Sequence, residues 1–366
     1  MTECSSETRT ITATTIPEFR QAIDQVDEEL VALISYRAEL ARRIGALKDA
    51  SDSVPFVPAR ERAVLNHVQE VNQGPLPHEA IRGIFQQIIA ASRNLERPVT
   101  VAYFGPEFTN THHAALLRFG VTGQLIPAES MGEVIDLVEH GTAHYGVVPI
   151  ENSVEGVVRE TLDALYRSTL NIADELNVPI RYALWGSGSL ADVTTVLSHP
   201  QALAQCRNWL HRHLPQAQVV AAASTARAAE MVAGHPEMAA ICQPLAAERY
   251  SLNQLADHLE DSPYNRTRFC VVGPVMSQPS GHDKTSLVFS VKHHAGALNR
   301  VLAILERHEI NLTLIESRPT KEMPWQYLFY VDFQGHAQEA RIAAAIDEIR
   351  QECLFLRILG SYPEAE

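Results

Sequence analysis

The chain has 366 residues, of which 46% are hydrophobic and 20% are charged, a composition typical of a globular protein with more than one domain. Its formal net charge of −14 disfavours nucleic acids and anionic membranes as partners, because binding phosphate groups requires a basic surface. No apolar run is long enough for a transmembrane helix, and residues 1–15 lack the apolar segment of a secretory signal. We interpret residues 1–15 as a disordered lead-in.

The cysteines and histidines do not form a pattern typical of a metal site. The five cysteines are far apart in the chain, which is typical of reduced thiols in the cytoplasm. Neighbouring side chains point apart on a helix or strand, so the pairs His112–His113 and His293–His294 are poor chelators of one ion. We expect a cytoplasmic protein with no metal and no cofactor.

Residues 16–97 predict an all-α domain of three helices, at about 16–48, 59–72 and 78–95. Apolar residues recur every three or four positions along the first helix, as in a buried seam. That helix would be about 50 Å long at 1.5 Å per residue, too long to be covered by the other two. We therefore expect it to pack against a second copy of the chain.

Residues 98–276 predict an α/β domain in which parallel strands lead into ligand-binding loops. Its apolar, strand-like runs are VTVAYFG, LIPA, HYGVVPI, IRYALWG, TTVLSH, QVVAAAS, MAAICQ and TRFCVVG. A polar linker, 277–283, follows. The βαββαβ order of residues 284–366 predicts an α+β, ferredoxin-like domain.

The first helix carries cations at a spacing that suits a small anion. Arg37 and Lys48 are eleven residues apart, so they share a face of the helix and could hold a dianion between them. Arg20 lies about 260° around the helix and about 25 Å from Arg37, too far to serve the same small site. In an antiparallel pair of chains, Arg20 could serve the site of the partner. Each cation taken alone is better explained as a solvated charge on an amphipathic helix.

The pattern FRQAID-x-VDEELVALI-x-YR-x-ELA-x-x-IG-x-LK resembles the first helix of the helical, dimeric type of chorismate mutase. The resemblance covers residues 16–96 and implies a substrate site formed by Arg20, Arg37, Lys48, Arg60, Glu61, Ser92 and Glu96. It implies that Arg37 and Arg20 of the partner subunit hold the two carboxylates of chorismate. Lys48 would act in catalysis by donating a hydrogen bond to the ether oxygen.

The same resemblance implies that Arg60, Glu61 and Ser92 fix the ring carboxylate and hydroxyl. Glu96 stands where some members of the family have glutamine as a second donor to the ether oxygen, and a glutamate donates only when protonated. The reaction is a unimolecular rearrangement that needs no cofactor. Catalysis then consists mostly of selecting a bent conformation and stabilising the charge of the breaking bond.

Four polar segments stand out in the α/β domain, and three of them directly follow strand-like runs. They are Gly105–Glu107, Pro149–Gly156, Ser198–Cys206 and Asn265–Phe269. Their composition is also that of ordinary turns. Their sequences, which include PIENS, SHPQALAQC and TRF, resemble those of prephenate dehydratase. This resemblance implies a two-lobed domain like that of periplasmic binding proteins.

The dehydratase resemblance implies that substrate is bound by Glu151, Asn152, Ser153, Gln201, Thr267, Arg268 and Phe269. Thr267 is the candidate catalytic residue, because the enzyme need only protonate or hydrogen-bond the leaving hydroxyl. One loop departs from the family pattern GPEGTF: Phe108 replaces a glycine and Asn110 replaces an aromatic residue. A glycine in such a loop often supplies a positive φ angle, so this change alters the expected shape of the pocket.

Residues 284–362 resemble an ACT regulatory domain. The matching segments are Gly296–Ala297–Leu298 and Glu316–Ser317–Arg318–Pro319, which the resemblance implies bind phenylalanine as an effector. Gly296 would let backbone donors approach an amino acid at a helix start. Domains of this kind pair side by side, which favours a homodimer or a higher homo-oligomer.

Together the three resemblances predict a bifunctional enzyme of phenylalanine biosynthesis, acting on chorismate and prephenate and inhibited by phenylalanine. Two alternatives stay open: a monofunctional mutase, and a phenylalanine sensor whose dehydratase lobes bind without turnover. A nicotinamide-dependent enzyme is disfavoured, because no strand is followed by GxGxxG.

Overall fold

The computed structural model describes residues 11, 13–47, 56–320 and 327–365. These residues form an all-helical domain, a two-lobed α/β domain and a C-terminal α+β domain, which confirms the predicted fold classes. Among the described residues, no helix is both long and apolar enough to cross a membrane. Most of the predicted lead-in and Lys48 lie outside the described residues.

The helical domain consists of α1 (Ile16–Leu47), α2 (Pro58–Glu70) and α3 (His78–Glu96). The backbone N–H of Thr15 donates to Glu18 Oε2 at 3.1 Å, a side-chain cap that starts α1. No residue of α1 is buried, and its apolar seam stays exposed, with Leu33 at 63% and Ile44 at 55%. The described parts of one chain therefore leave α1 largely uncovered.

Strands and helices alternate through the rest of the chain. In the two-lobed domain they are β1 (Thr100–Phe104), α4 (Asn110–Phe119), β2 (Gln124–Ala128), α5 (Met131–Glu139), β3 (Tyr145–Asn152), β4 (Gly156–Val157), α6 (Arg159–Arg167), β5 (Asn171–Pro179), β6 (Ala183–Gly186), β7 (Thr195–Ser198), α7 (Pro200–Gln205), α8 (Arg207–His213), β8 (Gln218–Ala221), α9 (Thr225–Val232), β9 (Met238–Cys242), α10 (Pro244–Arg249), β10 (Asn253–Ala256) and β11 (Arg266–Gly273). In the C-terminal domain they are β12 (Asp283–Val291), α11 (Ala297–Arg307), β13 (Leu312–Pro319), β14 (Tyr327–Gln334), α12 (Ala340–Glu352) and β15 (Cys353–Pro363).

Each lobe contains its own sheet. The first lobe has the strand order β2-β1-β3-β11-β5, with β4 beside β3, and the second has β10-β6-β9-β7-β8. The prediction of parallel strands is only partly right, because β11 runs antiparallel to both β3 and β5, and β6 runs antiparallel to β9 and β10. The chain leaves the first lobe after β5 and returns through β11, which fills the place between β3 and β5.

The C-terminal sheet has the order β13-β14-β12-β15, which confirms the ferredoxin-like arrangement. Successive residues of β12 face opposite sides, as the period of a strand requires. Leu287 and Phe289 pack in a core with α11 and α12, whereas Val288 packs in a core with the first lobe. The sheet is therefore enclosed between its own helices and the two-lobed domain.

The helical domain is anchored to the first lobe by residues just before and within α2. Phe56 is 1% exposed, and its ring centroid lies 5.1 Å from that of Phe119 and 5.2 Å from that of Tyr145. The guanidinium groups of Arg93 and Arg118 lie 5.0 and 4.7 Å from the centroid of the same ring. These contacts fix the start of α2 against the two-lobed domain.

Candidate active sites

A cleft of about 880 Å³ separates the two lobes. From the first lobe it is lined by the loop after β1, the carboxyl end of β3 and the start of β11. From the second lobe it is lined by Tyr182 and by the first residues of α7 and α9. Its polar side chains come from Thr109, Asn110, Thr111, Glu129, Asn152, Glu155, Tyr182, His199, Gln201, Ser224, Thr225 and Thr267.

Hydrogen bonds fix the orientation of the Thr267 hydroxyl at the wall of this cleft. Asn152 Oδ1 accepts hydrogen bonds from the backbone N–H groups of Val154 at 3.0 Å and Glu155 at 3.1 Å. The other end of the amide is therefore Nδ2, which donates to Thr267 Oγ1 at 2.9 Å. Because Thr267 Oγ1 accepts from Asn152, its own proton is free to be donated to a molecule in the cleft.

The same amide belongs to a chain of polar groups that crosses between the lobes. Asn152 Nδ2 also donates to Asn265 Oδ1 at 2.9 Å, and Asn265 Nδ2 donates to Gln205 Oε1 at 2.6 Å. Gln205 Nε2 in turn donates to Glu155 Oε1 at 3.3 Å. Each amide thus has one orientation that satisfies its neighbours.

The N-terminal ends of two helices open onto the cleft. No arginine or lysine occurs among the described residues that line it. Instead, α4 and α9 begin there, with the caps Thr109 and Ser224. Free N–H groups in the first turn of a helix favour an anion. The cleft therefore suits a small ligand with carboxylate and hydroxyl groups.

A second cluster of polar residues lies between α1 and α3. Arg37 Nη1 donates to Ser92 Oγ at 2.8 Å, and burial lowers the pKa of the Arg37 guanidinium, with Glu61 opposing that effect. A methyl group at Gly45 would collide with the side chain of Glu96, so the absence of a side chain at Gly45 lets Glu96 lie against α1. Arg37, Ser92 and Glu96 thus occupy one side of the pair of helices.

Glu61 joins this cluster to the two-lobed domain. Its Oε1 pairs with Arg93 at 2.6 Å and its Oε2 pairs with Arg118, on α4, at 2.9 Å. Arg118 also pairs with Asp174 on β5 at 2.5 Å. A buried run of alternating charges therefore connects the helical domain with the first lobe.

Comparisons with known proteins match all three domains. Residues 19–97 match the family model for chorismate mutase type II, residues 101–277 match prephenate dehydratase, and residues 285–351 match the ACT domain. The chain is 43% identical to a bifunctional chorismate mutase/prephenate dehydratase from Aquifex aeolicus, covering 96% of this chain and 98% of the relative. It is 40% identical to the enzyme of the same description from Neisseria gonorrhoeae, over 98% of this chain and 99% of that one.

The chain belongs to the bifunctional chorismate mutase/prephenate dehydratase family. A solved prephenate dehydratase from Arthrobacter aurescens, in complex with L-Phe, is also similar. It is 38% identical, has a TM-score of 0.67, and covers 73% of this chain and 90% of that chain. That structure aligns with part of the chain, whereas the bifunctional relatives align along nearly all of it.

The predicted dehydratase residues divide between two sides of their strands. Asn152, Gln201, Thr267 and Phe269 line the cleft. Thr267 and Phe269 are two residues apart on β11, so the period of the strand puts both on the cleft side and Arg268 on the other.

Arg268, Glu151 and Ser153 are not among the residues that line the cleft, and their predicted contact with the substrate stays a prediction. Arg268 pairs with Asp332 of the C-terminal domain at 2.6 Å and lies 3.2 Å from Glu151. Ser153 Oγ donates to the carbonyl of Tyr264 at 2.9 Å. The strand period explains the difference, because Glu151 and Ser153 flank the cleft-facing Asn152.

The predicted mutase residues are found at both ends of α1. Arg20 is exposed, and the unbroken helix puts it about 25 Å along the axis from Arg37. Arg60 is also exposed at the start of α2. Lys48 lies outside the described residues. Because both oxygens of Glu61 are held by arginines, a contact of Glu61 with the substrate hydroxyl stays a prediction.

The two predicted effector segments are separated within one chain. Gly296 has a φ of 80° at the start of α11, and the side chains of Ala297 and Leu298 pack in the C-terminal domain. The segment Glu316–Pro319 lies on β13, the edge strand, with β14 between it and β12. Arg318 pairs with Asp163 of the two-lobed domain at 3.0 Å, and its role in binding the effector stays a prediction.

Several residues that line the cleft could not be recognised from the sequence patterns. Tyr182 and Ser224 lie on segments that carry no motif, and tertiary folding alone brings them to the cleft. His199 and Glu155 stand within the quoted SHPQALAQC and PIENSVEG segments, but nothing local separates them from their neighbours. A detectable signal exists only for Ser224, as a helix cap directly after a strand-like run.

Proposed function

We propose that this chain converts chorismate to prephenate in its helical domain and prephenate to phenylpyruvate in the cleft of its two-lobed domain, as a cytoplasmic enzyme of phenylalanine biosynthesis. The observation that carries the dehydratase assignment is the fixed orientation of Thr267, whose Oγ1 accepts from Asn152 and keeps its proton for the cleft. We take 16–97, 98–276 and 284–366 as the domain limits.

The dehydratase step requires two bonds to break together. The bond to the ring carboxylate breaks and releases carbon dioxide, and its electron pair enters the ring as the bond to the ring hydroxyl breaks. Thr267 donates a hydrogen bond to the departing oxygen, which leaves as water after taking one proton from solvent. Aromatisation drives the step, so no nucleophile is required.

The carboxylates of prephenate are bound mainly by backbone N–H groups in this proposal. The first turns of α4 and α9 open onto the cleft. Gln201 and His199 lie at the start of α7, where they complete the second-lobe wall.

The mutase site is completed by a second copy of the chain. In support, α1 has no buried residue, and its exposed Arg20 lies about 25 Å along the helix axis from Arg37. When two copies of α1 run antiparallel, Arg20 of the partner subunit comes near Arg37, as the family resemblance implies. Burying the seam of α1 supplies the free energy of dimer formation.

Phenylalanine regulates the dehydratase through the C-terminal domain. The segments at Gly296 and at Glu316–Ser317 belong to one ligand site that two C-terminal domains form together. The edge strand β13 supports this pairing, because among the described residues it has a partner strand on only one side. The ion pair between Arg318 and Asp163 then transmits the paired state to the two-lobed domain.

Incubating the purified protein with chorismate, and following prephenate and phenylpyruvate separately, tests the whole proposal. We expect both to form, with phenylpyruvate appearing after prephenate. Prephenate without phenylpyruvate would show a monofunctional mutase, and binding without any turnover would show a sensor. Light scattering after size-exclusion chromatography tests the dimer.

The effector site can be tested with a glycine variant. Gly296→Ala costs about 1 kcal/mol of backbone strain at a φ of 80°, although a methyl group has room there. We expect the phenylalanine concentration for half inhibition to rise at least about fivefold, with little change in uninhibited dehydratase activity. Gly141→Ala, at a φ of 73° with open space in the first lobe, is the matched control. Equal sensitivity in both variants would place the effector elsewhere.

A further inference from the structure

The loop that departs from the family pattern has a positive φ angle at the position where that pattern has a glycine. Phe108 has a φ of 65°, in the left-handed region where a bulky side chain is strained. Its backbone N–H donates to His112 Nδ1 at 2.9 Å, and burial lowers the pKa of His112, which keeps that nitrogen available as an acceptor. This hydrogen bond therefore holds the strained backbone conformation. The contacts of the Phe108 side chain have to offset the free-energy cost of that strain.

Phe108 makes its apolar contacts across the cleft. Although the loop belongs to the first lobe, the ring packs against a core cluster of the second lobe built from β7, α9, β9 and α10. That cluster includes Leu197, Ala229 and Ala247. A glycine at this position would leave the same surface of the second lobe without a partner.

The second altered residue crosses the cleft as well. Asn110 Oδ1 accepts a hydrogen bond from Gln243 Nε2 at 2.6 Å. Gln243 precedes α10 in the second lobe, and the bond is partly shielded from water. Both positions at which the loop departs from the family pattern therefore contact the opposite lobe, and Asn110 itself lines the cleft.

We propose that Phe108 and the Asn110–Gln243 hydrogen bond form a clasp that holds the two lobes together at one end of the cleft and so raises the affinity of the dehydratase for its substrate. The chain passes between the lobes twice, from β5 to β6 and from β10 to β11. When contacts between the lobes already hold the cleft closed, less of the ligand's binding free energy is needed to close it. This inference rests on the proposed function only for its kinetic consequence.

The kinetic test uses full-length Asn110→Ala, Gln243→Ala and the double variant. We expect each single variant to raise KM for prephenate about five- to thirty-fold while kcat stays equal or rises. The double variant should resemble either single one, because both remove the same bond. Asn171→Ala, which removes a hydrogen bond to the Pro274 carbonyl inside the first lobe, should leave KM unchanged.

Variants of Phe108 separate packing from strain. Phe108→Gly removes both, and Phe108→Ala removes the packing but keeps the positive φ. If packing across the cleft is what matters, both variants raise KM. If Phe108→Gly behaves like the parent protein, the side chain contributes nothing to closure and the clasp is wrong in that part.

A distance measurement tests the clasp without reference to catalysis. Spin labels on Val121→Cys in the first lobe and His235→Cys in the second report the separation of the lobes, in labelled protein diluted with unlabelled chains. We expect Asn110→Ala combined with Phe108→Gly to lengthen or broaden the distance distribution. An unchanged distribution together with an unchanged KM overturns the clasp. If the parent protein never forms phenylpyruvate, but its lobes separate when the clasp is removed, the proposed function is overturned and the clasp is not.

Discussion

The two candidate active sites differ in how much of each a single chain provides. The dehydratase cleft is walled on both sides by one chain, and Thr267 is held there by a network of amides whose members are buried or partly buried. In the mutase region, by contrast, no residue of α1 is buried. Two lobes of one chain can face each other and form both walls of a cleft. One long helix cannot cover its own apolar seam.

Losing the cleft hydroxyl should have the largest effect and should leave the mutase intact. Thr267→Ala removes the donor to the departing oxygen, and we expect phenylpyruvate formation to fall about 100- to 10,000-fold. Formation of prephenate from chorismate should change little, because the two sites lie on different domains. Thr169→Ala, at an exposed site in the first lobe, is the control. Parallel loss of both activities in a folded protein would show that the sites are not separate.

Sharing of the mutase site can be tested by mixing two inactive variants. Arg20→Ala and Arg37→Ala should each lose most mutase activity, since each removes a cation from every site. After subunit exchange, each mixed dimer has one site with both lesions and one intact site. With random exchange, about a quarter of the parent activity should return. If mass spectrometry verifies the exchange of subunits and activity still does not recover, the shared site is contradicted.

The helical domain also contacts the two-lobed domain of the same chain. A variant of Arg118 should show how strongly this contact stabilises the fold. Arg118→Met leaves the carboxylates of Glu61 and Asp174 without their shared partner, and we expect a loss of about 3–5 kcal/mol in the free energy of unfolding. Urea unfolding followed by circular dichroism measures this loss. Arg181→Met, which removes a more exposed ion pair to Glu260, should cost about 1 kcal/mol or less. Equal losses would mean that the buried charges do not hold the two domains together.

The smallest expected effect concerns Glu96, which lies against α1 at Gly45. A glutamine donates a hydrogen bond at every pH, whereas a glutamate does so only when protonated. We expect Glu96→Gln to increase mutase turnover several-fold at alkaline pH and to flatten its pH profile, and Glu70→Gln on α2 to change neither. Identical profiles for the parent and Glu96→Gln from about pH 5 to 8.5 would remove Glu96 from the site.

Segments with a regular hydrophobic period could be predicted from the sequence, and segments whose stability comes from distant partners could not. The three helices of residues 16–97 and the βαββαβ order of residues 284–366 were recognisable because their apolar residues recur at the period of the element. Strand β5 was not, because Asp174 and Glu175 at its centre look like exposed residues. In the folded chain, these two acids are buried beside cations from other elements.

Site residues follow the same division. The motifs PIENS and TRF identify the segments, and the strand period separates Thr267 and Phe269 from Arg268. That period does not tell which of the two sides faces the cleft, and it gives no sign that Arg268 pairs with Asp332 of the C-terminal domain. Tyr182 and Ser224 reach the cleft only through the arrangement of the two lobes.

The sequence by itself determined the family, the three domains and the position of the catalytic candidates along the chain, because motifs and hydrophobic periods are local properties. Only the tertiary structure decided which face of β11 lines the cleft, where the buried acids of β5 find their cations, and how the loop at Phe108 reaches the second lobe. Each of these depends on contacts between residues far apart in the chain. Such contacts form only when strands that are distant in sequence become neighbours in a sheet or face each other across a cleft.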